Sequence, residues 1–329
     1  MTSFKVMTWN LENLFEPGTD AGPDTQEQYQ QKLNSLAVVI LGLDPDFLAV
    51  QEVGSPAAFS DLVGLLQARY PHLRLSAHPD SRGIRVGFLS KLVIEETEEI
   101  LVFPEPGLPK VAGLDQQGNL IDVTSLGRGA LRIQVSPNPG FPINFITAHL
   151  KSKLLTYPSA TGRPRFSPRN ENERARVAGI ALLKRTAEAV ALRVKANELL
   201  EGNVQKALIV LGDMNDVTDA ATTQILQGPG GSEIGTRGFN RQDQGDDTRL
   251  FNLAPLLPEE RRFSRIHNGT KELIDHIFVS QELLPGQPRK VPVVDSHVDD
   301  NLPSIGDDPN ARRGKPSSDH APVIATFEI

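Results

Sequence analysis

The chain has 329 residues and is 39% hydrophobic, so it is long enough to bury a large core and has the composition of a soluble globular protein. It contains no cysteine, which excludes disulfides, thiolate metal ligands and cysteine nucleophiles. The formal net charge is −7, and a uniformly acidic protein would repel nucleic acid. Residues 151–195, however, carry eleven Lys or Arg and three acids, which leaves +8 there and −15 elsewhere. That segment is either a solvated helix face or a surface that attracts phosphate.

The beginning of the sequence has neither the apolar stretch nor the small-residue cleavage site of a signal peptide. No window approaches the length of a membrane helix. We therefore expect a cytoplasmic monomer that does not insert into membranes.

Apolar segments bounded by Gly, Pro, Asn or Asp predict strands, and helical periodicity appears between them. The predicted strands cover residues 4–9, 47–51, 84–89, 92–98, 131–135, 143–148, 207–211, 273–279 and 321–327. The predicted helices cover residues 25–42, 56–69 and about 171–200, with a short fourth helix after Thr218 or Asp219. Strands and helices mix from end to end without a linker, which indicates one domain over residues 1–329.

Local signals refine these elements. Asp24 is a candidate N-cap for the first helix, Pro56 suits a first helical position, and Asn170 with Glu173 resembles a capping box. Because only about two residues join the strands at 84–89 and 92–98, we expect a hairpin there. Residues 104–129, 154–169, 227–250 and 285–318 are predicted to be long loops.

Polar residues stand where apolar strands begin or end, and this is the main functional signal. They are Asn10, Glu52, His149, Asp213, Asn215, Asp275, Asp319 and His320. Taken singly, each has a structural explanation: an Asn or Asp in a turn, a solvated Glu, or a histidine satisfied within the core.

Together these residues favour phosphoester hydrolysis, because an anionic phosphodiester needs a cation, and carboxylates to hold it. Glu52 and Asp319 are candidates to hold that cation. Asp213 and Asn215 are two residues apart, so on an extended strand end they project to the same side. Asp275 lies within an apolar strand and needs a partner, which a histidine from a neighbouring strand can provide.

The order of motifs also resembles a known family. The motifs are Thr8-Trp9-Asn10, Gln51-Glu52, residues 82–90, Thr147-Ala148-His149-Leu150, Gly212-Asp213-Met214-Asn215, residues 274–278 and residues 318–323. In this order they resemble the endonuclease/exonuclease/phosphatase superfamily, the deoxyribonuclease-like metallophosphoesterases, and its bacterial nuclease-like members in particular. The resemblance implies a mixed α/β fold, a four-layered sandwich of two mixed β-sheets packed face to face with helices outside.

On the metal side, the resemblance implies that Glu52 binds the cation, with Asn10 beside metal and phosphate. Asp319 would support the metal. Glu12 shares a face with Asn10 and matches an additional ligand that only some relatives carry. The oxygen-rich set suits Mg²⁺ or Mn²⁺, with Ca²⁺ as a further candidate.

On the catalytic side, the resemblance implies that Asp213 orients or activates the attacking water and that Asn215 hydrogen-bonds the phosphoryl group. His320, oriented by Asp275, would stabilise the transition state. His149 would contact the phosphate or the leaving group.

The substrate stays open among several phosphoesters. Lys151 and Lys153 follow His149 as in bacterial nuclease-like relatives, and with Arg169 they are candidates to contact the phosphates of DNA or RNA. The alternative position for these side chains is the solvent-facing rim. A nuclease that cleaves DNA or RNA is the first hypothesis. The acidic net charge and the low aromatic content of 5% argue against it and leave a phosphatase or phosphodiesterase acting on a small molecule or lipid head group as the alternative. The third and least favoured hypothesis is a non-catalytic binding module.

Overall fold

The computed structural model describes residues 3–105, 108, 111–115, 117–159, 165–228, 234, 248–284, 293–298, 302–308 and 310–328. In these ranges the helices are α1 (Gln26–Leu43), α2 (Pro56–Gly64), α3 (Glu171–Leu200) and α4 (Ala221–Gln227). The strands are β1 (Ser3–Leu14), β2 (Phe47–Val53), β3 (His72–Leu75), β4 (Arg85–Ser90), β5 (Glu96–Val102), β6 (Val111–Leu114), β7 (Leu120–Val123), β8 (Ser125–Asn138), β9 (Phe141–His149), β10 (Ala207–Asp213), β11 (Leu250–Asn252), β12 (Arg265–His267), β13 (Thr270–Glu272), β14 (Asp275–Ser280), β15 (Val293–Ser296), β16 (Ser304–Ile305) and β17 (Val323–Glu328).

Two six-stranded mixed sheets form the centre of the fold. Their strand orders are β15-β17-β1-β2-β4-β3 and β11-β14-β10-β9-β8-β5. The sheets pack face to face over one apolar core, in which Phe47 of the first sheet lies 4.9 Å from Phe145 of the second, centroid to centroid. A second apolar cluster joins α1 and α2 to the outer face of the first sheet, and a third joins α3 and α4 to the second. The predicted four-layered sandwich is therefore confirmed.

Each sheet contains one parallel pair near its middle, and these two pairs determine where polar strand ends meet. In the first sheet β1 and β2 run parallel, and in the second β9 and β10 do. The antiparallel neighbours β17 and β14 begin where β1 and β10 end. Carboxyl ends of four strands and the starts of two others therefore lie at one end of the sandwich.

Two predictions about the strands are wrong. The expected hairpin does not form, because β4 pairs with β2 and β3 in one sheet while β5 pairs with β8 in the other. The turn between them carries the chain across the sandwich, and the Ser90 hydroxyl bonds both the amide and the carbonyl of Leu92 there. Residues 104–129 are not one loop, since they contain β6, β7 and the start of β8.

The helix ends also differ in detail from the predictions. Thr25, not Asp24, caps α1, and it forms a complete capping box with Gln28. The Asn170 side chain caps α3, but Glu173 accepts from the amide of Arg169, so that capping box is only half formed. Helix α2 ends at Gly64, five residues earlier than predicted. Most of residues 227–250 lie outside the described ranges, and the described part of 285–318 includes β15 and β16.

Candidate active site

The six strand ends at one end of the sandwich bring most of the predicted site residues together. Asn10 and Glu12 lie on β1, Glu52 on β2, His149 ends β9, Asp213 ends β10, Asp275 begins β14, and Asp319 and His320 precede β17. Most of them are buried, and only Glu52 and Asp319 are partly exposed.

Five of the ten described non-glycine residues with left-handed backbone lie around this site. Glu12, Asn13 and Glu52 have φ of 48°, 51° and 62°, at bulges where the pairing of β1 with β2 shifts register. Asn215 and Ser317 have φ of 53° and 62°. This conformation is strained for such residues and persists where surrounding contacts impose it.

A close backbone approach explains the glycine before Asp213. Gly212 has φ of 144°, and a Cβ added there would lie 2.0 Å from the carbonyl oxygen of Ala148. Only glycine therefore allows β10 to lie against β9 at the point where His149 and Asp213 emerge.

Asp213 lies at the centre of the buried group. Its Oδ2 accepts a 2.9 Å hydrogen bond from Asn10 Nδ2, and its Oδ1 accepts one of the same length from the amide of Asn215. Its Oδ2 is 3.3 Å from His149 Nε2 and 4.0 Å from His320 Nε2. Burial and the nearby charge of Asp275 raise the pKa of Asp213 to about 6, which makes this carboxylate a stronger base than an exposed one.

Asp275 and His320 form a buried pair with 2.7 Å between Oδ2 and Nδ1. Burial by itself opposes charge on the ring, but Asp275, followed by Asp319 and Asp213, outweighs it and raises the pKa of His320 to about 10. The predicted pairing is therefore present as geometry, and the ring is an imidazolium at neutral pH.

His149 is the second histidine of the site and has the opposite character. Burial, followed by the charges of Arg128, Arg82 and His320, lowers its pKa well below 6.5. Its Nε2 faces Asp213 and lies 3.8 Å from Glu52 Oε1. Among the described atoms its buried Nδ1 has no hydrogen-bond partner. A neutral imidazole has one N–H to donate, and Nε2, which faces the two carboxylates, is the nitrogen positioned to carry it.

The remaining carboxylates lie on the β1–β2 side. Glu52 Oε2 accepts from the amide of Asn13 at 2.8 Å. Glu12 Oε1 accepts from Arg312 Nε at 2.7 Å, and Glu12 Oε2 is 3.8 Å from Lys32 Nζ. Burial and the charge of Asp319 raise the pKa of Glu12 to about 7.

Two sets of side chains have the chemistry to hold a divalent cation. Asp213, Asp275 and His320 offer atoms within 4.8 Å of one another. That set is a poor ligand group while His320 is protonated, because a metal ligand must first lose the proton. The second set fits better, because Glu52 is partly exposed beside Asn10 and the buried Glu12 Oε2 has no hydrogen-bond partner among the described atoms.

The three residues predicted to contact phosphate have different surroundings. Lys151 Nζ donates to the carbonyls of Ser152 and Leu154, and burial followed by the charge of Arg128 lowers its pKa to about 8. Lys153 Nζ is 3.0 Å from Asp216 Oδ1. Arg169 is exposed at the start of α3. The direct contact of these residues with substrate stays a prediction.

Four cationic residues near the site were not predicted as site residues from the sequence. Arg82 is half-exposed, with Nε 3.6 Å from Asp80 Oδ2. Arg128 is buried and donates to the carbonyls of His149 and Leu150. The others are Lys32 and Arg312, which contact Glu12. A charged residue on the apolar stripe of α1 was the available signal for Lys32, whereas nothing local identifies the others.

A groove of about 1180 Å³ extends from the carboxylate side of the site. It runs from Glu12 and Asn13 past Arg82 to the partly exposed ring of Phe166 and to Arg313. The site therefore opens onto a surface that can hold more than one small phosphate group.

Comparison with known proteins agrees with this geometry. Residues 7–320 match the family described as Endonuclease/Exonuclease/phosphatase family. No curated protein sequence matches the chain. The chain belongs to the Endonuclease/Exonuclease/phosphatase family and is a phosphoric ester hydrolase of the divalent-metal-dependent kind.

Solved structures show the same fold at low identity. The human Nocturnin catalytic domain with bound sulfate anion is 13% identical, with a TM-score of 0.58 over 99% of this chain and 94% of that one. The endonuclease/exonuclease/phosphatase from Bacteroides vulgatus is 13% identical, with a TM-score of 0.57 over all of both chains. D. rerio TDP2 complexed with single strand DNA product is 17% identical, with a TM-score of 0.54 over all of both. None of the helices in the described ranges has the length and apolar composition that crossing a bilayer requires.

The Asp275–His320 pair predicts a pH-dependent contribution to stability. Asp275→Asn leaves a buried ring without its counter-ion and should lower the free energy of unfolding by about 3 kcal/mol. Because the pKa of folded His320 is raised from 6.5 to about 10, the contribution is complete below pH 6.5 and is lost as pH rises through 10. Urea unfolding of parent and variant should differ more at pH 6 than at pH 10.

The matched control is Asp295→Asn, which breaks the partly exposed pair with Arg261. We expect it to change the free energy of unfolding by less than about 1 kcal/mol at either pH. A difference between parent and Asp275→Asn that is constant from pH 6 to pH 10 would contradict a charged His320.

Proposed function

We propose that this chain cleaves phosphodiester bonds of DNA or RNA by water attack, assisted by Mg²⁺ or Mn²⁺. The observation that carries the proposal is the environment of Asp213. This buried carboxylate accepts hydrogen bonds from two amides and lies between a neutral histidine, His149, and a positively charged one, His320. Asp213 can accept a proton, the His320 ring is positively charged, and His149 is a neutral hydrogen-bond donor. Both histidines lie within about 4 Å of Asp213 Oδ2. Such a set suits hydrolysis of an anionic ester.

The two partly exposed carboxylates of the site would hold the cation. Glu52 and Asp319 are the proposed ligands, with Asn10 beside them and Glu12 contributing negative charge from within. When bound, a divalent cation neutralises charge on the phosphoryl oxygens and so favours attack on phosphorus.

The other side chains supply the remaining parts of the reaction. Asp213 would accept a proton from the attacking water, and the Asn10 and Asn215 hydrogen bonds keep its oxygens in place. The imidazolium of His320 would stabilise the extra negative charge of the transition state. Asn215 uses its Nδ2 in a 2.9 Å bond to the carbonyl of Leu150 and has a second N–H for a phosphoryl oxygen. His149 would donate to the phosphate or the leaving group.

Three features support a nucleic acid as the substrate. The groove beside the carboxylates is large enough for several nucleotide units. Arg82 lines this groove, is half-exposed and lies close enough for its charge to act on His149, so its guanidinium would contact a phosphate next to the scissile one. A protein of the same fold, D. rerio TDP2, was captured with a single strand DNA product.

A specific observation favours a small phosphoester as the second candidate. Several cations of the groove already have acidic partners, since Arg312 pairs with Glu12 and Arg313 pairs with Asp24. Such pairing reduces the attraction for a long polyanion. An inositol phosphate or a lipid head group needs only the positive charge immediately around the scissile phosphate.

The test of this function combines a substrate panel with Asp213→Asn. Plasmid DNA, RNA, inositol phosphates and bis-p-nitrophenyl phosphate are incubated with Mg²⁺, Mn²⁺, Ca²⁺ or EDTA. We expect the parent to cleave a nucleic acid fastest and to lose activity in EDTA. Removal of a general base should lower kcat by about 10² to 10⁴ while the substrate still binds. Asp295→Asn, remote from the site, serves as the control carboxylate.

Each part of that experiment distinguishes the proposed metal-dependent nuclease from one alternative. If inositol phosphates are cleaved fastest, the protein is a small-molecule phosphatase and not a nuclease. Full activity in EDTA would contradict the metal mechanism. Binding without hydrolysis by the parent under every condition would support a non-catalytic module.

Arg82 provides an independent test of the nucleic acid. Arg82→Gln removes one contact to a flanking phosphate, so the dependence of log KM on log salt concentration should fall by about one unit of slope. Cleavage of bis-p-nitrophenyl phosphate, which has no flanking phosphate, should be nearly unchanged.

Arg69→Gln is the matched control, because Arg69 is also a half-exposed arginine paired with an aspartate but lies in the turn after α2. It should leave the salt slope as in the parent. If Arg82→Gln keeps the parental slope as well, Arg82 does not contact the substrate chain.

A further inference from the structure

Lys32 is a buried lysine on the apolar face of α1. Its neighbours along that face are Tyr29, Leu33 and Leu36, and its side chain is 7% exposed. Burial lowers its pKa, although the carboxylates of Glu12, Asp319 and Glu52 act in the opposite direction. A buried ammonium without partners costs several kcal/mol, so its presence on this face requires compensating contacts.

Those contacts connect α1 to the segment that precedes β17. Lys32 Nζ donates a 2.8 Å hydrogen bond to the carbonyl of Ser317 and lies 3.8 Å from Glu12 Oε2. One turn further along α1, the hydroxyl of Ser35 accepts from the amide of Ser317 at 2.7 Å. The helix therefore binds both polar backbone groups of Ser317, a residue in left-handed conformation.

Strand β1 holds the same segment from the other side. The Ser318 hydroxyl donates to the carbonyl of Asn10 at 2.7 Å and accepts from the amide of His320 at 3.0 Å. Trp9 Nε1 donates to the carbonyl of His320 at 2.8 Å. Asp319, between Ser318 and His320, is thereby attached to a backbone that is fixed at both ends.

Arg312 extends this network on the groove side. Its Nε binds Glu12 Oε1 at 2.7 Å and its Nη2 donates to the carbonyl of Pro316 at 3.3 Å. Glu12 thus connects two cations that each also hold the backbone just before Ser318. Lys32 is the more buried of the two and the one in contact with α1.

We propose that Lys32 is a positioning residue for the metal side of the site, which places Asp319 and His320 by binding the Ser317 carbonyl and Glu12. This inference rests on the proposed function, because it assumes that a divalent cation binds beside Glu52 and Asp319. Lys32 itself touches neither the reacting atoms nor the cation.

Charge alone would have the opposite effect, which makes the proposal testable. A positive side chain near a cation site repels the cation, so its removal would tighten metal binding. If Lys32 positions the ligands, its removal must weaken binding in spite of the lost repulsion.

The experiment measures Mn²⁺ affinity by electron paramagnetic resonance without substrate, in the parent chain and in Lys32→Met. We expect about tenfold weaker binding in the variant, as for other residues that orient metal ligands. In the metal-free variant, amide hydrogen exchange of residues 317–321 should become faster. Activity should require correspondingly more Mg²⁺ for half-maximal rate.

Lys91→Met is the matched control. Lys91 Nζ also binds a backbone carbonyl, that of Asp44, together with the carboxylates of Asp44 and Asp46, but it follows β4 in the turn toward β5. This variant should keep the parental Mn²⁺ affinity and the parental exchange of residues 317–321, whatever stability it loses.

Ser35→Ala is a second variant, which keeps the buried charge and removes the hydroxyl that accepts from the Ser317 amide and donates to the Lys32 carbonyl within α1. It too should weaken Mn²⁺ binding and speed exchange of residues 317–321, so the test survives if Lys32→Met does not fold. Unchanged or tighter Mn²⁺ binding in folded Lys32→Met would overturn the role of Lys32. If Lys32→Met does not fold, unchanged binding and exchange in Ser35→Ala would overturn the attachment of Ser317 to α1 on which that role depends. A parent chain that binds no Mn²⁺ would instead overturn the proposed function.

Discussion

Buried negative charge at one end of the two sheets is the constraint on which the rest of the site depends. Parallel pairing of β1 with β2 and of β9 with β10 directs carboxylates from both sheets to the same place. Burial, followed by the charge of Asp319, raises the pKa of Glu12 to about 7. Burial, followed by the charge of Asp275, raises the pKa of Asp213 to about 6, so in both cases a neighbouring carboxylate contributes to the shift. Such a cluster is unstable unless each carboxylate is hydrogen-bonded or faces a positive charge.

The protein compensates the charge differently on its two sides. On the second sheet, amides of Asn10 and Asn215 bind Asp213, and the imidazolium of His320 faces Asp275. On the first sheet, Lys32 and Arg312 share Glu12. Glu52 accepts from the amide of Asn13 and is partly exposed, which suits the ligand role proposed for it. This division matches the proposed separation of a metal side from a side that handles protons.

The strand ends were predictable from the sequence because a polar residue after an apolar run is visible without knowing the partners. The order of those residues along the chain also identified the fold. Strand pairing was less accessible, since two adjacent strands can join different sheets, as β4 and β5 do. Whether Lys153 is free depends on Asp216, far along the chain, and no local pattern contains that contact.

Lys32 shows what a charged residue on an apolar helix stripe indicates. It lies on the apolar stripe of α1, where a charged side chain would be unfavourable without a buried partner. Its partners are the carboxylate of Glu12 and the carbonyl of Ser317. Only the tertiary structure brings these groups to Lys32. A charge on a buried face is therefore evidence for a polar contact, even when the sequence does not say with what.

The location of the cation tests the central account most directly. Crystals of the parent chain soaked in Mn²⁺ would be measured near the manganese absorption edge, and the anomalous difference map would locate the ion. We expect one strong peak between Glu52 and Asp319, next to Asn10. A peak held instead by Asp213, Asp275 and His320 would contradict it, because that result requires an unprotonated His320 and removes the separation between the metal side and the side that handles protons.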